Sequence, residues 1–343
     1  MSNFFVTAPI NGVDHAINVH GRTRGLPVLL IIHGGPGYAM IDFFHDTIPE
    51  LEDEFVVVNY DQRGAGLSYN NNIDPKSITL HQLVEDAEAI LRFVLEKIGC
   101  PQNQACYVLG HSMGTMLGLE LVRKYSSEYK AYFGVGQVVN VVENEQAMYD
   151  WAITQARQRN IKKAIRELVC IGRPNDDYCY PFPGRGVRGR NPEKVDGFDV
   201  TMRWVEEFGG ELYGKDGSEE VDKKILSSKL YKGKKRNWHR GLEFSAENLF
   251  NDPAVVSWNA RNQTIDLNTP LCLLMGKHDY DTPAHLAKSY FDDIKGTKKL
   301  IWFENSSHFP FYEEKDKFVK ELVTIKKEIE GLGWVQIPKL SQT

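Results

Sequence analysis

With 343 residues, 42% of them hydrophobic and 25% charged, the chain is long enough for one large α/β domain carrying an insertion, or for two domains. A net charge of −5 gives no reason to expect nucleic acid or an anionic membrane as partner. Apolar runs such as VLLII and FVVV are strand-sized, far below the roughly 18 residues of a membrane span. The opening MSNFFVTAPINGVDH lacks the basic-then-apolar order of a secretory signal. The five cysteines are scattered and show no CxxC spacing, which fits reduced thiols better than a disulfide framework or a zinc site. A cytoplasmic location is therefore expected.

Two β-like stretches, 4–10 and 13–19, open the chain around the turn dipeptide Asn11-Gly12. Continuous apolar runs at 27–33, 54–60 and 104–110 have the pattern of strands buried on both faces. Between the last two, Leu83, Val84, Ala87, Ile90, Leu91 and Val94 recur at helical spacing within 80–98, and a further strand covers 131–139. From 140 to 268 the alternation stops. Helix-like pieces at 143–160, 161–170, 199–208 and 219–229 are separated by loop-rich stretches, and the basic run KLYKGKKRNWHR at 229–240 reads as a solvated loop. The β/α pattern then resumes with a strand at 269–276, a helix from 283 to 294, a strand at 298–304 and a helix from 315 to 329. Strands alternating with helices imply a parallel sheet with right-handed crossovers. The expected fold is α/β: a mostly parallel sheet flanked by helices, its core formed by 1–139 and 269–343, with a mainly helical lid at 140–268 inserted after the sixth strand.

In VLGHSMGTMLGLE (108–120) a strand pattern passes into a small-residue helix pattern, with Ser112 between Gly110 and Gly114. This is G-x-S-x-G in its strand–turn–helix context, which pushes a serine hydroxyl out at a sharp bend. A plain β-to-α turn with a capping serine is the alternative. A serine needs a base and an orienting acid, and in an open α/β sheet such groups gather beyond the carboxyl ends of the strands. The strand at 269–276 leads into KHDYDTP, offering Asp279 and Asp281; the strand at 298–304 leads into NSSHFP, offering His308. Asp279 is the expected acid, whereas Asp281 reads as an N-cap for the helix opening at Thr282-Pro283. His308 is the expected base; His278 and His285 follow the same strand as the acid, and His111 points away from its neighbour Ser112. The glycine loop His33-Gly-Gly-Pro-Gly37 lacks the spacing of a dinucleotide fingerprint and fits an oxyanion hole, with N–H groups from Gly35 and Met113.

Together HGGPG (33–37), DQRGAGLS (61–68) and GHSMG (110–114) resemble the α/β-hydrolase fold, and more narrowly its prolyl aminopeptidase (proline iminopeptidase) branch. GKHDYDTP (276–283) is similar to the branch's segment around the acid; Met113 stands where that branch often has tryptophan, and Ser307 where it has glycine. Asp61 and Arg63 read as structural pins for the loop beneath the site. The resemblance implies a cofactor-independent and metal-free serine hydrolase that releases N-terminal proline or a similar residue from small peptides or amides through an acyl-enzyme. Family aminopeptidases hold the substrate amine with acidic lid residues, for which Glu206 and Glu207 are the candidates, with Gly34 also against the substrate; a solvated helix face is the other reading of the two glutamates. The lid aromatics Trp151, Tyr178, Tyr180, Phe182, Phe198, Trp204, Phe208 and Tyr213 suggest an apolar acyl pocket. An esterase, lactonase or N-acyl amide hydrolase of the same fold, or a non-catalytic ligand-binding protein, are the rival readings. The expected partner is a small molecule or short peptide, not nucleic acid or membrane, and the oligomeric state is left open.

Overall fold

A computed structural model describes residues 3–22, 25–100, 104–176, 197–263 and 267–331. Tyr178, Tyr180 and Phe182 lie outside them. Eight strands, β1 (Phe4–Ile10), β2 (Val13–His20), β3 (Val28–Ile32), β4 (Val56–Tyr60), β5 (Cys106–His111), β6 (Tyr129–Val135), β7 (Leu271–Gly276) and β8 (Lys298–Phe303), form one sheet in the order β1-β2-β4-β3-β5-β6-β7-β8. β1 is antiparallel to β2 and β2 to β4; the other neighbours run parallel. Before the long insertion lie α1 (Phe43–Thr47), α2 (Leu80–Lys97) and α3 (Gly114–Lys124). Between β6 and β7 come α4 (Val141–Gln158), α5 (Lys162–Ile171), α6 (Gly197–Glu207), α7 (Glu219–Leu226), α8 (Lys235–Leu249), α9 (Pro253–Val256) and α10 (Ala260–Gln263). The remaining helices are α11 (Ala284–Asp293), α12 (Pro310–Glu313) and α13 (Lys315–Glu330). Among the described residues no helix is long and apolar enough to cross a membrane.

β3, β4, β5 and β7 are buried along their whole length. Their sequences run apolar without a break because successive side chains enter opposite faces and both faces are covered. Leu30, Val58, Val108 and Leu273 share one cluster with Leu83, Ile90 and Leu117 of α2 and α3. Their immediate neighbours Leu29, Val57, Leu109 and Leu274 share the other with Phe43, Phe44, Phe318 and Leu322. Helices α4, α5 and α6 build a third cluster of Met148, Ala152, Leu168, Val200, Trp204 and Val205, against which Tyr280 packs from the loop after β7.

Two stretches differ from the sequence expectation. β6 stops at Val135, short of residue 139, because Gly136 adopts φ +56° and turns the chain toward the site; a β-carbon there would lie 2.7 Å from His308 Cε1. The lysines and arginines of the basic run at 229–240 are exposed, as expected of a solvated segment, but the run is only half loop. Tyr231 is buried with its hydroxyl donating to Asp61 Oδ1 at 2.7 Å, and α8 starts at Lys235 with Trp238 buried and its Nε1 donating to the Ala39 carbonyl at 2.8 Å. The buried stripe of α8 is Trp238, Gly241, Ser245 and Leu249. Two of its four members are small or polar, so helical periodicity in apolar residues hides it.

Asp61 and Arg63 are pins, though not with each other. Asp61 Oδ2 accepts from the Leu67 N–H at 2.7 Å, and burial pushes its carboxyl up to about 7. Arg63 Nε and Nη2 grip Asp86 on α2 at 2.7 and 2.8 Å, with both side chains buried. Burial pushes the Asp86 carboxyl up, but hydrogen bonds from His15 and Arg63 outweigh it and hold the carboxyl below the usual carboxylate range. The contribution of such a group is complete above about pH 4 and is lost as the pH falls below that. Replacing Arg63 with Ala takes the guanidinium from the buried Asp86 carboxylate; the expected loss in chemical denaturation is about 3–5 kcal/mol at neutral pH, shrinking as the pH drops through the acid range.

Candidate active site

Ser112 sits between the end of β5 and the start of α3 with φ +55°, a left-handed conformation that side chains other than glycine seldom adopt. Its N–H donates to the Val135 carbonyl at 2.9 Å, locking the bend to β6. The flanking glycines are required by contact: a β-carbon on Gly110 would lie 2.6 Å from the Gly114 carbonyl oxygen, and one on Gly114 would lie 2.3 Å from that of Ile32. The helix can therefore start directly against β3 only with glycine at both positions.

The glycine loop after β3 folds over this bend. A β-carbon on Gly34 would lie 2.6 Å from Ser112 Cβ, and Gly35 has φ +120° with space for a β-carbon closed by Gly37 N at 2.4 Å. Among the described residues neither the Gly35 nor the Met113 N–H donates a hydrogen bond, and both residues line the pocket at Ser112. The loop is anchored by Gln62 of the DQRG segment: its N–H donates to His33 Nε2 at 3.0 Å and its side-chain amide to the His33 carbonyl at 2.6 Å. Burial lowers the His33 ring to about 4, so it stays neutral and accepts that bond.

Asp279 and His308 emerge from the carboxyl ends of β7 and β8. Asp279 Oδ2 is 2.9 Å from His308 Nδ1 and also accepts from Thr282 Oγ1 at 2.7 Å, while Oδ1 accepts from the N–H groups of Asp281 and Thr282. His111 packs its ring on His308, centroids 4.6 Å apart, and its Nε2 lies 3.0 Å from the His308 carbonyl, so it supports the loop from beneath. Ser307 Oγ donates to the His278 carbonyl at 2.9 Å and to that of Gly209 at 3.1 Å, tying the histidine loop to the inserted segment. The His308 N–H donates to the Glu211 carbonyl at 2.9 Å. His278 turns outward, its Nε2 3.1 Å from the Glu304 carbonyl.

Several assignments change. Asp281 does not cap a helix: α11 begins at Ala284 behind Pro283, no side chain caps it, and the Asp281 carboxylate lies 3.0 Å from His308 Nε2. The cause is that Pro283 has no N–H to offer a cap and the Ala284 N–H already donates to the Asp279 carbonyl at 3.1 Å. Glu207 is exposed and lies 3.9 Å from Arg203, away from the site. Glu206, one residue earlier on α6, is raised to about 7 by burial and by the charges of Asp281 and Asp222. Glu211 is buried, and burial, Glu206 and Asp281 hold its carboxyl well above the usual range. Glu145 on α4 is buried and lines the pocket beside Ser112. Glu211 and Glu145 escaped the sequence reading because nothing in a lone glutamate's neighbours along the chain tells which wall it faces. Of the aromatics assigned to an acyl pocket, Phe198 lines it, joined by Phe250; Trp204 and Phe208 belong to the helical cluster, Trp151 packs against it, and Tyr213 is exposed.

The comparisons with known proteins agree with this architecture. The family model described as alpha/beta hydrolase fold matches residues 27–161. The chain is 29% identical over 321 residues to the "Probable aminopeptidase YbaC" of Bacillus subtilis (strain 168), covering 91% of this chain and 93% of that protein. It is 24% identical over 332 residues to a proline iminopeptidase of Saccharolobus solfataricus, covering 93% and 89%. The crystal structure of the proline iminopeptidase of Mycobacterium smegmatis superposes with a TM-score of 0.66 at 16% identity, over 96% of this chain and 100% of that one. The chain has the α/β-hydrolase fold. Within that fold it resembles the prolyl aminopeptidases.

Gly35 offers a direct test of the loop. A Gly35→Ala enzyme must relieve a 2.4 Å contact and leave its φ of +120°, withdrawing the N–H from the site. Its kcat is expected to fall by roughly 10²–10³-fold with little change in KM; an unchanged kcat in steady-state assay would mean that the second donor lies elsewhere.

Proposed function

We propose that the chain is an aminopeptidase that releases N-terminal proline or a similar residue from small peptides or amides through an acyl-enzyme on Ser112. In this reading Ser112 Oγ attacks the carbonyl carbon, His308 Nε2 takes the proton and returns it to the leaving amine, and Asp279 orients the imidazole through Nδ1. Gly35 and Met113 N–H groups stabilise the oxyanion, and water then hydrolyses the ester with His308 again as base. The helices between β6 and β7 act as the lid, and no metal or cofactor takes part in these steps.

The observation that carries the amine specificity is the acidic wall. Burial raises the carboxyls of Glu206, Glu211 and Asp281; the Asp281 charge raises Glu206 further, and those of Glu206 and Asp281 raise Glu211 further. Such a group of carboxylates is poorly compensated until a cation enters, and an N-terminal ammonium is the cation that an aminopeptidase substrate supplies. The full-length similarity to proteins named aminopeptidase and proline iminopeptidase supports the same reading. The apolar part of the pocket, Met113, Met116, Val138, Val141, Phe198 and Phe250, fits a compact ring or side chain next to the scissile carbonyl. That apolar lining is also what an ester or N-acyl amide hydrolase would use, so the amine decides between them.

A prolyl anilide should be cleaved with a kcat/KM about ten- to a hundredfold above that of its N-acetyl form, the value of one charge-assisted hydrogen bond. Glu206→Gln and Glu211→Gln should each shrink that ratio. Because the Glu206 carboxyl lies at about 7, amine binding should strengthen as the pH rises through neutrality and weaken once the substrate ammonium, near pH 8, gives up its proton. Equal kcat/KM for the two anilides would assign the chain to the acyl hydrolases of ester or N-acyl amide type.

A further inference from the structure

Acyl transfer by serine asks for one carboxylate on the histidine, yet His308 has two. Asp279 holds Nδ1 at 2.9 Å, and Asp281 Oδ2 stands 3.0 Å from Nε2, the nitrogen that must accept the Ser112 proton. Among the described residues no hydrogen bond joins Ser112 Oγ to His308. A carboxylate at each ring nitrogen favours the imidazolium, which has no lone pair to offer at Nε2.

We propose that Asp281 is a latch: in the free enzyme it occupies His308 Nε2, and it releases that nitrogen to Ser112 when the substrate ammonium enters the acidic wall and draws the Asp281 carboxylate onto itself. The proposal rests on the aminopeptidase reading, because the amine is what moves the latch. Asp281 would thus be a positioning residue that couples recognition of the N-terminus to activation of the base.

The surroundings suit such a movement. The Asp281 backbone is held at both ends of its peptide units, its N–H donating to Asp279 Oδ1 at 3.0 Å and its carbonyl accepting from Asn144 Nδ2 at 2.8 Å. A side-chain rotation therefore suffices to move the carboxylate. It lines the same pocket as Ser112, Gly35 and Glu145, so its alternative position is on the substrate side. The charged and titratable groups facing His308 are Asp279 and Asp281 from the turn after β7, Glu211 from the segment after α6, and His111 from β5; Glu206 of α6 faces Asp281. Burial lowers the His308 ring, but Asp281, Asp279 and Glu211 outweigh it and raise it to about 10. With Asp281 drawn off, the imidazole loses one of the charges that keep it protonated and gives its Nε2 proton to solvent water. That nitrogen then accepts the Ser112 proton as the Oγ–carbon bond forms. When the carbon–nitrogen bond breaks, its electron pair leaves with the amine, which takes the proton from Nε2.

The test uses the full-length enzyme, p-nitrophenyl acetate as an amine-free ester and proline p-nitroanilide as the amine-bearing substrate. In Asp281→Asn the ester kcat/KM at pH 7 should rise about tenfold for each pH unit by which the imidazole falls. Its pH profile should level off near neutrality, whereas the wild-type profile should still climb toward about pH 10. The preference for the prolyl anilide over the ester should collapse by at least about tenfold, since the amine no longer has a latch to move. Asp281→Ala, which leaves no oxygen opposite Nε2, should change the ester profile in the same direction, and thermal unfolding identifies a variant that has lost its fold. Two folded variants with an ester rate at or below wild type and an unmoved pH limb would overturn the latch. A wild-type enzyme indifferent to acetylation of the prolyl anilide would instead defeat the aminopeptidase reading, and the trigger with it.

Discussion

The left-handed bend at Ser112 is the constraint from which the rest of the site follows. Holding a serine at φ +55° costs on the order of 1–2 kcal/mol relative to an ordinary conformation. That cost is sustained because β5 on one side and α3 on the other leave the chain no alternative path. Gly110 and Gly114 are glycine because the helix start lies directly on the backbone of β3. The same closeness brings Gly34 against the serine, so the bend and the loop that would hold the oxyanion are one packed unit rather than two neighbouring motifs.

That unit extends to the DQRG segment, and the contacts explain why HGGPG and DQRG occur together. Gln62 binds the ring and the carbonyl of His33, Asp61 fastens Leu67 and Tyr231, and Arg63 reaches across to Asp86 on α2. None of these side chains needs to touch a substrate. They fix the loop, which is what the proposed oxyanion role asks of it, since preorganised donors stabilise developing charge without first reorienting. On the opposite wall, the Gly209–Leu212 stretch wedges between the loops after β7 and β8. There the Tyr280 N–H donates to the Gly210 carbonyl and the His308 N–H to that of Glu211, so the inserted segment helps to set the histidine.

The sequence disclosed those parts whose chemistry depends on local order. The buried strands appear as unbroken apolar runs, and the bend and the glycine loop each need glycine at fixed spacing. Asp279 and His308 were legible because strand ends in a parallel sheet converge. What remained hidden depended on the third dimension. Asp281 sits two residues after the acid in a stretch that reads as a helix cap, but Pro283 has no N–H to offer it and the Ala284 N–H goes to the Asp279 carbonyl, so its carboxylate faces His308 instead. Glu206 and Glu207 were indistinguishable along the chain; the step of about 100° between neighbours on α6 sends the first toward Asp281 and the second into solvent beside Arg203. Helix α8 was missed because glycine and serine form half of its buried stripe.

The central claim is that Ser112, raised on its strained bend, is the nucleophile. Treatment of the full-length enzyme with a fluorophosphonate, followed by intact mass measurement and peptide mapping, tests it most directly, since phosphorus accepts the serine oxygen as fluoride leaves. The account predicts a single adduct on the peptide that contains Ser112 and none in Ser112→Ala of equal stability. An adduct on another residue, or a folded wild-type protein that takes up no label after prolonged exposure from neutral to alkaline pH, would contradict it.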